Sequence, residues 1–157
     1  MSEFSALYQD YAPDVYRFAL YLSGRHADAE DITAETFARL WASSEPIAMA
    51  TVKGYLFTIA RHLFLQGLRK RSRDDALDED LRDPSAGPER QAEHSESLRQ
   101  VLKELQRLPE TSRSALLMRA VDGIAYEEIA RALGISLAAV KVKIHRARLA
   151  LVGLRDA

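Results

Sequence analysis

The sequence predicts an all-α protein made of two small helical domains joined by a flexible acidic linker. Glycine and proline are scarce, at 7 and 5 of 157 residues, which favours helices over a β-sandwich or barrel. Apolar residues make up 47% of the chain and charged residues 29%, so the chain can bury hydrophobic cores. The length fits one ordinary domain or two small ones.

Charge alternates along the chain although the net charge is only −1. The formal charge is −5, +6, −7 and +5 in the successive segments 1–50, 51–73, 74–96 and 97–157. The third segment holds Pro84, Gly87 and Pro88 and few apolar residues, a composition typical of a linker. We therefore predict domains at 1–73 and 97–157, joined by an acidic linker at 74–96.

Several classes of protein are excluded or disfavoured by composition. The chain has no cysteine, which excludes disulfides and thiol catalysis, and its four histidines are too widely spaced to suggest a metal site. The apolar runs are far shorter than the roughly 20 residues that span a bilayer. Residues 1–10 lack the basic start of a signal peptide. We expect a cytoplasmic protein without a metal, a cofactor or membrane insertion.

The first stretch of helical spacing runs from Phe4 to Leu22. Pro13 falls inside it and predicts the start of a second helix, because proline is favoured in a first helical turn. Ser23 and Gly24 then predict the helix end.

The next helix is predicted at about 27–41 and carries an acidic face. Asp28, Asp31 and Glu35 recur at i, i+3 and i+7, while apolar residues take the opposite side. Acids in a first turn complement the helix dipole. Paired carboxylates can also serve as acid/base groups or metal ligands, but such a face more often meets solvent or a basic partner.

A long helix is predicted at about 52–71, after a loop that begins near Ser43. Segment 51–73 contains six basic residues and no acid. One stripe of this helix carries four donors at i, i+4, i+7 and i+11: His62, Gln66, Arg69 and Arg73. Such a stripe suits a nucleic-acid backbone and exposed base edges. The alternative is that its C-terminal cations only complement the helix dipole.

The second half of the sequence predicts four helices, at about 98–108, 110–121, 126–133 and 137–154. Pro109 stops the first, Gly123 follows the second, Gly134 ends the third, and Ser136 caps the last.

Residues 126–145 have the pattern of a helix-turn-helix. Gly134 occupies the turn, and Val140, Ile144 and Ala147 form the buried face of the second helix. The outward face then carries Ala138, Lys141, Val142, His145 and Arg148. A basic outward face suits the DNA major groove. The alternative is a helical hairpin with a solvated basic face.

Three motifs, in this order, resemble an extracytoplasmic-function (ECF, group 4) RNA polymerase sigma factor of the sigma-70 family. DAEDITAETFARLW (28–41) is similar to region 2.2, and GYLFTIARHLFLQGLRKRSR (54–73) to regions 2.3–2.4. LKELQRLPETSRSALLMRAVDGIAYEEIARALGISLAAVKVKIHRAR (102–148) is similar to region 4. The resemblance covers both domains and nearly all of the chain outside the linker.

The resemblance implies a promoter-specificity subunit, not an enzyme, that binds core RNA polymerase, recognises −35 and −10 elements and promotes strand opening. Implied contacts with the β′ clamp helices are Asp28, Asp31, Glu35, Thr36, Phe37, Leu40 and Trp41. Implied contacts with the −10 element are Lys53, Tyr55, Arg61, His62, Gln66, Arg69 and Arg73. Implied contacts with the −35 element are Ser136, Ala138, Lys141, Val142, His145, Arg146 and Arg148.

The resemblance further implies that region 4 binds the β flap and that an anti-sigma factor holds the protein inactive. The loop at about 44–51 would capture a base flipped out of the −10 strand. This sequence departs from the family where His62 and Gln66 stand in place of Asn and of Asn or Asp. Val142 offers an apolar contact where relatives carry Ser.

Two other hypotheses fit parts of the sequence. The last domain alone is compatible with a dimeric helix-turn-helix regulator whose N-terminal helical domain senses a signal. The chain shows no heptad seam for dimerisation, and such a regulator would need one or an equivalent interface. A helical enzyme using Asp28, Asp31 and Glu35 with a metal would need a pocket and a nucleophile that the sequence does not indicate.

Overall fold

A computed structural model describes residues 3–43, 50–77 and 95–155, and within these ranges the chain forms seven helices and no strand. The helices are α1 (Glu3–Ser23), α2 (His26–Ala42), α3 (Val52–Leu77), α4 (Glu96–Gln106), α5 (Glu110–Ala120), α6 (Tyr126–Leu133) and α7 (Leu137–Arg155). The predicted all-α class is confirmed.

The prediction that Pro13 opens a separate helix is wrong. α1 is one continuous helix with Pro13 in its interior. Proline removes one backbone hydrogen bond, but Pro13 is exposed, so water can reach the carbonyl that loses its donor. Val15, Phe18 and Leu22 are buried along one face, and keeping that face continuous offsets the lost bond.

The long helix α3 extends past its predicted end near residue 71 to Leu77, and so enters the first residues of the predicted linker. Residues 78–94 of that linker lie outside the described residues, and its last two residues, Ser95 and Glu96, form the cap and the first residue of α4. Most of the predicted base-capture loop, residues 44–49, also lies outside them. The other helix ends agree with the predictions to within a few residues.

The N-terminal bundle, α1 to α3, is organised around an aromatic core. Phe18 of α1 stacks on Phe57 of α3 with ring centroids 4.4 Å apart and planes 5° from parallel. Both side chains are almost fully buried. The Phe37 ring of α2 makes T-shaped contacts with the rings of Phe4 and Tyr8, which join α2 to the start of α1.

The C-terminal bundle, α4 to α7, contains the predicted helix-turn-helix as α6 and α7. Gly134 adopts φ +67°, a conformation that favours glycine, and the amide of Ile135 donates to the Ala130 carbonyl at 3.1 Å. The Ala139 amide donates to Ser136 Oγ at 3.1 Å, which confirms the predicted cap. Val140 is buried as the sequence predicts.

The two bundles pack against each other. α1 contacts α4 and α5, and α3 contacts α5 and α6. The C-terminal bundle therefore covers part of α3, which also packs against α1 and α2.

Candidate polymerase and nucleic-acid interfaces

The acidic face of α2 lines a groove between α2 and α3. Asp28, Asp31 and Glu35 contribute to one wall of a cavity of about 550 Å³. The facing wall includes Lys70 and Arg71, and Arg71 Nη2 donates to Asp28 Oδ2 at 2.8 Å. The groove thus offers carboxylates on one side and cations on the other.

Two residues of the predicted polymerase contact set lie inside the core. Thr36 is fully buried on the inward side of α2. Its hydroxyl donates at 2.7 Å to the carbonyl of Ile32, one helical turn earlier. Phe37 is 2% exposed among aromatic neighbours. These two side chains support α2 and present no surface to a partner in this structure. Leu40 is half-buried, and Trp41 is 66% exposed.

The predicted −10 set divides into two groups. The first group is the exposed stripe of α3, formed by His62, Gln66, Arg69 and Arg73. The second group, formed by Lys53, Tyr55 and Arg61, is half-buried. Only the first group faces solvent without a partner bundle over it.

Arg61 points at the C-terminal bundle. Its Nε and Nη2 donate to the two carboxylate oxygens of Glu110 at 2.7 and 3.0 Å, a bidentate pair. Burial by itself would raise the pKa of Glu110. Hydrogen bonds from Arg61 and Ser114 and the Arg61 charge outweigh burial, so the pKa of Glu110 lies below its ordinary value.

Lys53 also contacts the C-terminal bundle, through Asp122. The Lys53 Nζ lies 3.6 Å from Asp122 Oδ1, and Arg17 Nη2 donates to the same oxygen at 2.8 Å. The Asp122 side chain is only 2% exposed. Burial raises the pKa of Asp122, and the nearby cations of Arg17 and Lys53 compensate only in part.

The predicted −35 face is on the surface as expected. Ser136 caps α7, and the outward residues are all exposed: Ala138, Lys141, Val142, His145, Arg146 and Arg148. The buried side of the same helix packs through Val140, Ile144 and Ala147. A helix held on one side and basic on the other has the form that enters a major groove.

Sequence reasoning missed two residues beside this face. The Arg119 guanidinium lies 4.3 Å from the centroid of the Tyr126 ring, and Lys141 Nζ lies 5.7 Å from it. Arg119 Nη1 also donates to the Ile124 carbonyl at 3.3 Å. The aromatic ring holds cations from α5 and α7 near one another. These contacts join residues of three helices, so helical spacing gave no signal for them.

Comparison with known families identifies both bundles. Residues 7–74 match the family described as Sigma-70 region 2, and residues 98–151 match the family described as Sigma-70, region 4. The chain belongs to the sigma-70 family. The prediction made from the three motifs is therefore confirmed, and sigma factors of this family give RNA polymerase its promoter specificity.

Curated relatives place the chain among the ECF sigma factors. It is 39% identical over 153 residues to the ECF RNA polymerase sigma factor SigE of Mycolicibacterium smegmatis, covering 94% of this chain and 60% of that relative. It is 32% identical over 153 residues to the ECF RNA polymerase sigma factor SigM of Bacillus subtilis, covering 94% of this chain and 92% of SigM.

Two solved structures resemble the fold. The sigma factor RpoE of Bartonella quintana, solved with the anti-sigma factor NepR, matches with a TM-score of 0.82 and 26% identity over 100% of this chain and 99% of that chain. CnrH, solved with the cytosolic domain of CnrY, matches in fold with a TM-score of 0.70 and 23% identity, over 98% of this chain and 87% of that chain.

The described residues show neither a membrane-spanning helix nor a cluster of metal ligands. None of the helices there has the length and apolar character needed to cross a membrane. Within the same residues, no three acidic or histidine side chains stand together as metal ligands would.

The opposite pKa shifts of Glu110 and Asp122 predict opposite pH dependences of stability. The pKa of Glu110 is lowered in the folded chain, so its stabilising contribution is present above its ordinary value of 4.5 and is lost as pH falls through the folded value. The pKa of Asp122 is raised, so its contribution is present below its ordinary value of 3.8 and is lost as pH rises through the folded value.

Urea unfolding of Glu110→Gln and Asp122→Asn, followed by circular dichroism, measures these contributions. Between pH 7 and roughly pH 3.5, the stability lost in Glu110→Gln relative to wild type should shrink as pH falls. Over the same fall in pH, the free energy of unfolding of wild type should rise relative to that of Asp122→Asn. A common pH dependence for both variants would contradict the two assignments.

Proposed function

We propose that this chain is a cytoplasmic promoter-specificity subunit of a bacterial RNA polymerase, with no catalytic activity of its own. The observation that carries the proposal is that the two sigma regions each present an exposed basic helix face, on α3 and on α7. The polymerase supplies the chemistry, and this chain supplies position and strand opening.

In this proposal, residues 1–73 dock on core polymerase and open the −10 element. The acidic wall of the α2–α3 groove, with Asp31 and Glu35 exposed, meets the β′ clamp helices. Trp41, 66% exposed, adds an apolar anchor at the end of α2. The exposed stripe of α3 then faces the −10 strand, because a stripe of donors without acids suits phosphates and unpaired bases.

Residues 97–157 read the −35 element in the same proposal, and residues 74–96 connect the two regions. Lys141 and Arg146 lie on the outward face of α7, where side chains reach base edges and phosphates. Arg119, held against Tyr126, extends this cationic surface toward the DNA backbone. Region 4 also binds the β flap.

We further propose an anti-sigma factor as a regulatory partner. The matching RpoE structure was solved with an anti-sigma factor bound, and this chain matches that sigma factor along its whole length. The groove between α2 and α3 is open and bipolar in charge, which suits a charged helix of a partner protein.

The regulator hypothesis loses its basis in the first half of the chain. It required a sensing domain there, and residues 7–74 match sigma region 2. The enzyme hypothesis has no observation in its favour.

Transcription in vitro tests the proposed function directly. Purified core RNA polymerase transcribes fragmented genomic DNA with and without this protein, and the RNA 5′ ends are sequenced. We expect new start sites that share two upstream motifs at a fixed spacing, because two regions on one chain read two elements. No new starts together with no binding to core polymerase would contradict the proposal.

The polymerase contact is tested by Asp31→Lys with Glu35→Lys. Both side chains are exposed in the groove, so the double change reverses the docking charge without removing core packing. We expect loss of core polymerase binding, measured by surface plasmon resonance. The matched control is Glu3→Lys with Asp10→Lys, two exposed acids of α1, which should bind as wild type does. Wild-type affinity in the first variant would refute the docking site.

The −35 contact is tested by Lys141→Ala and Arg146→Ala on a promoter found by that transcription experiment. Each should weaken promoter binding by about 1–3 kcal/mol if it reaches a base edge, and by less if it reaches only phosphate. Lys103→Ala, an exposed cation of α4, is the matched control. Fluorescence anisotropy at fixed salt measures all three, and equal affinities would remove both residues from the site.

A further inference from the structure

Two polar bridges cross the groove between α2 and α3. In the first bridge, Arg71 Nη2 of α3 donates to Asp28 Oδ2 of α2 at 2.8 Å. In the second, Arg39 Nη2 of α2 donates to Gln66 Oε1 of α3 at 3.5 Å. Side chains of the two helices therefore meet at two places, and the second bridge ends on a residue of the predicted −10 set.

Arg39 is itself held by its own helix. Its Nε donates to Glu35 Oε1 at 3.5 Å, an i,i+4 pair on the exposed side of α2. Arg39 also lies in the last turn of α2, where a cation complements the helix dipole. Nε and Nη2 form one edge of the planar guanidinium, so the bond to Glu35 turns that same edge toward Gln66.

The bond from Arg39 fixes which way round the Gln66 amide lies. A guanidinium has only donors, so it can bind the amide oxygen of Gln66 and not the amide nitrogen. The oxygen is thereby kept on the side of α2. Within the part of the chain that the structure describes, no other side-chain hydrogen bond involves Gln66. Gln66 therefore keeps two N–H donors for a bound molecule.

Gln66 lies where the groove meets the exposed stripe of α3. It lines the groove beside Gly67, and it also lines a shallow depression formed with Arg69, Ser72 and Arg73. All of the residues around that depression are exposed. An amide held by its oxygen from the groove side presents its nitrogen to the other side, where the −10 strand is proposed to run.

We propose that Arg39 is a specificity-determining residue of the −10 contact, because it holds the oxygen of Gln66 and leaves N–H donors to read a base. Guanine and thymine carry keto oxygens that accept, whereas adenine and cytosine carry amino groups that donate. Gln66 held in this way favours a keto base. An unheld glutamine also reads adenine, since it can accept from N6 while it donates to N7. The proposal rests on the proposed function for the identity of the ligand that α3 faces.

The first test concerns the Arg39 contact alone and needs no DNA. Nuclear magnetic resonance of the full chain, labelled with ¹³C and ¹⁵N, measures the chemical shift of the Gln66 side-chain carbonyl carbon, which Gln66→Ala assigns. Arg39→Met removes the donor and should move this signal upfield, while Arg39→Lys keeps a donor and should retain most of the shift. The matched control is Arg25→Met, an exposed arginine just before α2, which should leave the signal unchanged. The same Gln66 signal in wild type and Arg39→Met would overturn the proposal.

The second test measures base selectivity in the complete complex. Core polymerase with each variant binds a fluorescein-labelled single strand that carries the −10 element of a promoter found by in vitro transcription, with each of the four bases placed in turn at each position. Wild type should favour keto bases by roughly 2–10-fold at the position that Gln66 contacts. Gln66→Ala should identify that position by abolishing the preference. Arg39→Met should bring the ratio close to parity by admitting adenine, and Arg39→Lys and Arg25→Met should keep the wild-type ratio.

The possible failures of this proposal and of the proposed function are distinguishable. An unchanged keto preference in Arg39→Met would overturn the proposal, and so would a Gln66→Ala complex that selects bases as wild type does. If the Gln66 signal responds to Arg39 but the wild-type complex directs no new transcription starts, the Arg39 contact is supported. The proposed function, and with it the base preference, is then contradicted.

Discussion

The arrangement of the two bundles depends on helix ends that are satisfied from the other bundle. The last carbonyls of α1, at Tyr21 and Leu22, accept hydrogen bonds from Gln106 and Arg113 of the C-terminal bundle, and Glu128 accepts from Thr51 at the start of α3. A cationic group therefore meets a helix C-terminus, and an anionic group meets a helix N-terminus, which is the favourable sense in both cases. The backbone groups at helix ends that lack partners within one bundle therefore help to orient the other bundle.

These polar contacts lie beside an apolar core that is continuous through both bundles. That core is held by stacked or interleaved apolar side chains such as Phe18 and Phe57, which lose their burial only when the domain unfolds. The interface adds ion pairs and hydrogen bonds, and their desolvation cost cancels much of their attraction.

Periodicity predicted the helices and both exposed faces because each of these is a property of a single helix. The stripe from His62 to Arg73 and the outward face around Lys141 follow from counting along the chain, and the structure places both on the surface. The prediction that Pro13 opens a second helix was wrong because packing of the α1 face outweighs one missing hydrogen bond. The partners of Arg61 and Lys53 could not be predicted from the sequence. Glu110 and Asp122 lie on the other side of the linker, and only tertiary packing brings them to these cations.

The charge pattern of the sequence is related to the contacts between the bundles. In the proposed function the segment 51–73, at +6, meets nucleic acid, and a fully exposed cationic helix would bind many polyanions. Arg61 and Lys53 of this segment pair with Glu110 and Asp122, whereas the stripe from His62 to Arg73 is exposed. An anion can therefore meet the stripe directly, whereas it has to replace the Glu110 carboxylate before it can pair with Arg61.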